Sequence, residues 1–207
     1  MITNHTQLLN YLASKYELQA YLEIGVQNPN NNFDKINCRY KIGCDPDVTN
    51  DVRIYEGTSD QYFIGYGQEG DKTMLDLIFI DGLHHSDQVK RDFENSLRCL
   101  TDNGFILIHD TMPDDESTTH VPRDSKMWHG DVYKFAMTLN TYDDIGFITF
   151  PIDCGCTLVW KIPGKKGLPQ VHIMDWHTYK KIGNVLLNVV PVKEIETLLP
   201  DVKRTYI

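Results

Sequence analysis

The stretch Leu75-Asp-Leu-Ile-Phe-Ile80 constrains the fold most: it is a nearly unbroken apolar run, typical of a parallel strand buried on both faces. It stops at Asp81-Gly82, after which Val89, Phe93, Leu97 and Leu100 recur every three or four residues. That period predicts an amphipathic helix from about His85 to Leu100, closed by Asn103-Gly104 as a C-cap. Phe105-Ile-Leu-Ile108 reads as a second buried strand and ends at His109-Asp110. Strand, helix and strand within about 35 residues make a βαβ unit, with parallel strands and a right-handed crossover.

The flanking chain extends this pattern. Asn4 with Gln7 is a capping box opening a helix on which Leu8, Tyr11, Leu12 and Tyr16 share a face. Ala20–Val26 is a short apolar run ended by Gln27-Asn-Pro-Asn-Asn-Asn32, which is turn material. A second run, Tyr40–Cys44, stops at Asp45-Pro46-Asp47; Val52–Tyr55 is a weaker strand and Thr58–Tyr66 a short helix. Met112–Trp128 is polar and reads as a long lid or binding loop. Gly130–Leu139 is expected to be helical, and Ile145–Phe150 and Thr157–Ile162 to form an antiparallel hairpin. Helices are expected again between Trp176 and Leu199. Five strands alternating with helices, then a hairpin, predict an α/β domain with a mostly parallel sheet, and 207 residues suit a single domain, 1–207.

Charge and composition narrow the partners. A net charge of −9 opposes binding to nucleic-acid backbones. No apolar run approaches the roughly 20 residues of a membrane span, and Met1-Ile-Thr-Asn-His5 lacks the features of a secretory signal, so a cytoplasmic location is expected. Five cysteines without CxxC spacing imply no disulfide framework. Cys154-Gly-Cys156 is expected to be two buried small hydrophobes rather than a metal pair.

In open α/β sheets ligands bind beyond the carboxyl ends of the strands, and acids collect there. Asp45 ends the second strand, Asp81 the fourth and Asp110 the fifth, while Glu23 sits inside the first, just before Gly25. A carboxylate within an apolar strand is costly unless it has a partner. The missing Gly-x-Gly-x-x-Gly weighs against a dinucleotide, whose pyrophosphate needs that loop.

The set Leu22-Glu-Ile-Gly25, Gly43-Cys-Asp45, Leu77-Ile-Phe-Ile-Asp81 and Gly104-Phe-Ile-Leu-Ile-His-Asp110 resembles class I S-adenosylmethionine-dependent methyltransferases. With Phe79-Ile-Asp-Gly-Leu-His84, Ile108-His-Asp-Thr111 and Trp128-His-Gly-Asp-Val132, it is similar to small methyltransferases of antibiotic and polysaccharide biosynthesis. The likeness spans about residues 18–162, leaving 163–207 as a C-terminal helical extension. It implies a Rossmann-like sheet with helices on both faces and S-adenosylmethionine as cofactor. Gly25-Val-Gln-Asn-Pro-Asn-Asn-Asn32 departs from the family's usual glycine-rich first loop.

The resemblance assigns cofactor contacts to Glu23, Gly25, Asp45, Ser59 and Asp81, with Asp45 on the ribose hydroxyls. It assigns catalysis to His84, Asp81 and Asp110, with His84 as general base, and Mg²⁺ to Asp81, Asp110 and Thr111. The expected activity is O-methylation of a sugar, glycan or small hydroxylated metabolite, by a chain whose C-terminal helices offer a face to a second copy. The rival readings are a catalytically idle binding domain of this fold and a nucleotide-sugar-modifying enzyme. Packing alternatives attach to single residues: His84 and His85 as helix caps, His109, Trp128 and Trp176 as core.

Overall fold

The computed structural model describes residues 2–48, 50–66, 74–170 and 172–199. The helices are α1 (His5–Lys15), α2 (Ser59–Tyr66), α3 (Ser86–Cys99), α4 (Val132–Ala136), α5 (Trp176–Leu186) and α6 (Ile195–Leu198). The strands are β1 (Ala20–Ile24), β2 (Tyr40–Asp45), β3 (Ile54–Glu56), β4 (Leu75–Ile80), β5 (Leu100–Ile108), β6 (Ile145–Phe150) and β7 (Cys156–Lys161). They form one sheet in the order β3-β2-β1-β4-β5-β7-β6. The first five strands run parallel, and β7 lies antiparallel between β5 and β6.

This order reverses direction at β1 and β4, which pair side by side, so a crevice is expected beyond Ile24 and Ile80. Alternation of side chains along each strand builds two cores. Tyr21, Leu77, Phe79, Phe105 and Leu107 face α1, meeting Leu8, Leu9 and Leu12. Leu22, Ile78, Ile80, Ile106 and Ile108 face the other way, onto Val89 and Phe93 of α3 and Phe135 of α4. Helices thus cover both faces. The first begins as expected, with the Asn4 side chain accepting from the Gln7 backbone N–H at 2.9 Å.

Asn103-Gly104 does not cap α3. The helix ends at Cys99, Leu100 is already extended at φ −75° and ψ 132°, and the chain runs directly into β5. Gly104 has none of the left-handed backbone of a C-cap glycine. Leu100 is fully buried opposite Leu75, and the register shifts before Phe105 meets Leu77, so residues 101–104 belong to an irregular stretch of β5. The third strand also starts later than expected, at Ile54, because the Ile54 N–H donates to the Asp51 carbonyl at 2.9 Å and closes a turn that leaves Val52 wholly exposed. Cys156 is buried but Cys154 is exposed, since Cys154 and Gly155 take positive φ (62° and 91°) and break the extended geometry that would align the two. Trp176 and Tyr179 of α5 pack on Tyr133, while Ile195 of α6 joins the α1 side of the sheet. Part of the expected extension, residues 200–207, lies outside the described residues. Among the described residues no helix is long and apolar enough to cross a membrane.

Phe93 is fully buried at the centre of the α3 contact. Phe93→Ala should lower stability by roughly 3–5 kcal/mol, whereas Asn95→Ala, on the rim of the same helix, should stay within about 0.5 kcal/mol. Urea denaturation distinguishes them; equal effects would contradict this packing.

Candidate active site

The carboxyl ends of β1, β2, β4 and β5 converge on one cavity of about 680 Å³. At its floor the chain leaves β1 through Gly25, held at φ +90°. A Cβ there would lie 2.1 Å from the Asp81 carbonyl oxygen, so only glycine lets the two strand ends meet. The Gly25 N–H donates to the Cys44 carbonyl at 2.9 Å, which ties in the end of β2 as well. Asp45 secures the loops beyond: its Oδ2 accepts from the Gln27 N–H and its Oδ1 from the Asp47 N–H, both at 2.8 Å.

Glu23 is 2% exposed and solves its burial locally. Its Oε2 accepts from the Tyr21 hydroxyl at 2.6 Å and from Asn32 Nδ2 at 2.8 Å. Asn32 is itself fixed by the Thr6 hydroxyl, which donates to its Oδ1 at 2.8 Å. Burial pushes the Glu23 carboxyl up to about 7, against the lowering effect of those two hydrogen bonds. The asparagine-rich loop therefore packs onto the acid through side-chain bonds rather than through glycines.

Beyond β4 and β5, carboxylates and imidazoles interleave. Asp81 Oδ1 lies 3.2 Å from His109 Nδ1 and 3.4 Å from His84 Nε2. Asp110 Oδ2 lies 3.2 Å from His84 Nδ1, which also meets the Trp128 carbonyl at 3.2 Å. Burial alone would raise the Asp81 carboxyl, but His109 and His84 hold it well below the usual carboxylate range. For His84, burial opposes the charge, and Asp81 and Asp110 outweigh it, raising the imidazole above 6.5. The same contest raises His109 well above its ordinary value, with Asp81 and Asp110 prevailing over burial. Two further features set His84: its ring stacks on Trp128 with centroids 5.2 Å apart, and its carbonyl lies where a Cβ on Gly130 would clash at 1.8 Å.

Glu23, Gly25, Asp45, Ser59, Asp81, His84 and Asp110 all line this cavity. Ser59 is 8% exposed and accepts from Gln88 Nε2 at 3.1 Å. Thr111 does not join them. It is fully buried, and its hydroxyl accepts from Thr157, which in turn bonds Thr149, so a chain of three threonines beneath the strand tips holds it. The trio expected for Mg²⁺ is therefore not assembled. An imidazole nitrogen of His109 stands within 4.8 Å of Asp81 and Asp110, whereas Mg²⁺ favours an oxygen shell.

Several residues here were not foreseen in this role. His109 and Trp128 line the cavity instead of the core, and His5 reaches it from α1. His5 and its partner Asp153 are 148 positions apart, so no local spacing could have joined them. The His-Asp step after β5 was the available signal for His109.

Residues 14–111 match the methyltransferase domain family. Among solved structures, a putative O-methyltransferase from Klebsiella pneumoniae aligns with a TM-score of 0.58 and 18% identity, over 78% of this chain and 81% of that one. An O-methyltransferase from Bacillus cereus in complex with SAH gives 0.57 at 13% identity, over 77% and 82%. TomG from Streptomyces achromogenes, an O-methyltransferase of tomaymycin synthesis in complex with SAM, gives 0.56 at 14%, over 76% and 79%. At these identities the likeness establishes the fold. None of the curated proteins compared with the chain matches it.

Glu23 supplies a test of the floor of the cavity. A carboxyl raised from 4.5 to about 7 resists ionisation in the folded chain, so it weakens stability progressively as pH climbs between those values. Glu23→Gln keeps an acceptor for Tyr21 and Asn32 while removing the charge. The variant's stability relative to the parent should therefore rise by about 3 kcal/mol across that window and stay level on the acid side. Urea midpoints taken at stepped pH read this directly; a difference that ignores pH would contradict it.

Proposed function

We propose, for a chain whose residues 14–111 match the methyltransferase domain family and whose fold is that of solved O-methyltransferases, that it moves a methyl group from S-adenosylmethionine to an oxygen of a small hydroxylated acceptor, sugars and glycans included. The observation that carries this reading is the convergence of Asp45, Glu23, Asp81, His84 and Asp110 on a single cavity. A volume of about 680 Å³ lies within the range of small-molecule sites, roughly 300–1,000 Å³.

The chain's own residues fit the cofactor. Gly25 brings backbone against the cavity floor with no side chain in the way. Each Asp45 oxygen already accepts one backbone N–H, and an ionised carboxylate has about four acceptor positions, so one remains on each oxygen for a vicinal diol. Glu23 has Oε2 committed to Tyr21 and Asn32, which leaves Oε1 to meet the ammonium of the methionine part. Ser59 and Asp81 complete the contacts at the adenine side and beneath the sulfonium. When bound, S-adenosylmethionine supplies an activated methyl group open to in-line attack.

His84 removes the acceptor proton. Its Nδ1 donates to the Trp128 carbonyl, which leaves Nε2 as the basic atom. The imidazolium formed lies between Asp81 and Asp110, and both carboxylates stabilise it. Trp128, stacked on the ring, keeps it from turning and shields it from solvent. Proton removal in this reading rests on His84 and needs no metal ion. In this reading residues 1–207 act as a single methyltransferase domain.

Two substitutions test the assignment. Asp45→Ala should abolish S-adenosylmethionine binding measured by calorimetry; unchanged affinity would contradict the ribose contact. His84→Gln should leave that affinity within a few-fold and lower kcat by roughly 10²–10⁴. With the parent protein, kcat should rise with pH through a value above 6.5, because His84 must be neutral to accept the proton. A variant that keeps both the rate and the pH dependence would overturn the base, and parental binding without turnover on any hydroxylated acceptor would favour an idle domain.

A further inference from the structure

We propose that His5, His109 and Asp153 form a site for a divalent transition-metal ion, distinct from the Asp81–Asp110 pair and open on one side to the cavity. The inference is independent of the methyl-transfer reading. The three residues come from the first turn of α1, the end of β5 and the turn between β6 and β7, and their ligand atoms lie within 4.8 Å of one another. Asp153 Oδ2 is the hub: it accepts from the His5 backbone N–H at 3.1 Å, meets His5 Nδ1 at 2.5 Å, and lies 3.7 Å from His109 Nε2.

His109 Nε2 is the second observation that points to a ligand. It is buried and has no hydrogen-bond partner among the described residues. A buried polar atom left in that state is destabilising, and a bound ion would offset the loss. The other ring nitrogen, Nδ1, faces Asp81 Oδ1 at 3.2 Å. A carboxylate on one imidazole nitrogen is the arrangement that holds the proton there and directs the opposite lone pair at a metal. The rings are also held in place, His5 stacking on Phe79 with centroids 5.1 Å apart and standing edge-on to His109 at 4.8 Å.

Two imidazoles and one carboxylate suit Zn²⁺, Co²⁺ or Fe²⁺ in preference to Mg²⁺. Three protein ligands leave a position for water or an exchangeable oxygen donor. Because His5 and His109 line the cavity, the site borders it.

The test uses the full chain, stripped with a chelator and titrated with Co²⁺ and then Zn²⁺. One equivalent of Co²⁺ should bind with the visible bands of a four-coordinate ion, and Zn²⁺ should displace it. His5→Gln and Asp153→Asn should each weaken binding by more than about 100-fold, with the far-ultraviolet circular dichroism of the stripped protein unchanged. Absence of binding by the parent protein would overturn the site. So would parental affinity in both variants, which would place the ion at Asp81, His109 and Asp110. A thiolate-to-cobalt charge-transfer band lost in Cys154→Ser would also overturn it, moving the ion to Asp110, His129 and Cys154.

Discussion

The approach of Gly25 to the Asp81 carbonyl is the constraint on which the rest of the site depends. Strands β1 and β4 pair through Ile24 and Ile80, and the next residue of each must still fit where the sheet ends. The space left for a Cβ at residue 25 is 2.1 Å from an oxygen, so the loop after β1 turns at positive φ and lies flat on the tip of β4. That turn brings Gln27 to Asp45 and carries the asparagine loop back over Glu23. It also sets the Asp81 backbone, whose N–H donates to the Ile24 carbonyl at 2.9 Å. The spacing between the Glu23–Asp45 half and the acid–histidine half of the cavity depends on this contact.

The acid–histidine half is held by charge alternation rather than by apolar packing. Asp81, His84, Asp110 and His109 are each largely withdrawn from water, and isolated charges there would be prohibitive. Interleaving opposite signs offsets the desolvation. It depresses Asp81 and raises His84 and His109, so the histidines add stability in full below about 6.5 and lose it as pH rises through their raised values. In the proposed function the same arrangement prepares a base flanked by two carboxylates, so structural and chemical roles fall on the same residues.

Much of this was legible in the sequence, for identifiable reasons. Leu75–Ile80 and Phe105–Ile108 announced parallel strands because both faces of such strands are buried, and strand ends then located Asp45, Asp81 and Asp110. The hairpin was legible from two apolar runs separated by Pro151–Gly155. Gly104 misled because glycine signals a helix end and an irregular strand alike, and the burial of Leu100 decided between them. Thr111 misled because adjacency to Asp110 says nothing of direction: Asp110 turns at φ 57°, and the threonine side chain drops into the hydroxyl chain below. His5 and Asp153 meet only through the packing of α1 against the sheet, which no local pattern encodes.

Co-crystallisation with S-adenosylhomocysteine tests the central claim most directly, that the strand-tip acids surround one sulfonium nucleoside and the group it methylates. The account predicts ribose hydroxyls on Asp45, the amino group on Glu23 and the sulfur turned toward His84. A nucleoside seated outside this cavity, or inside it with its ribose away from Asp45, would contradict the account.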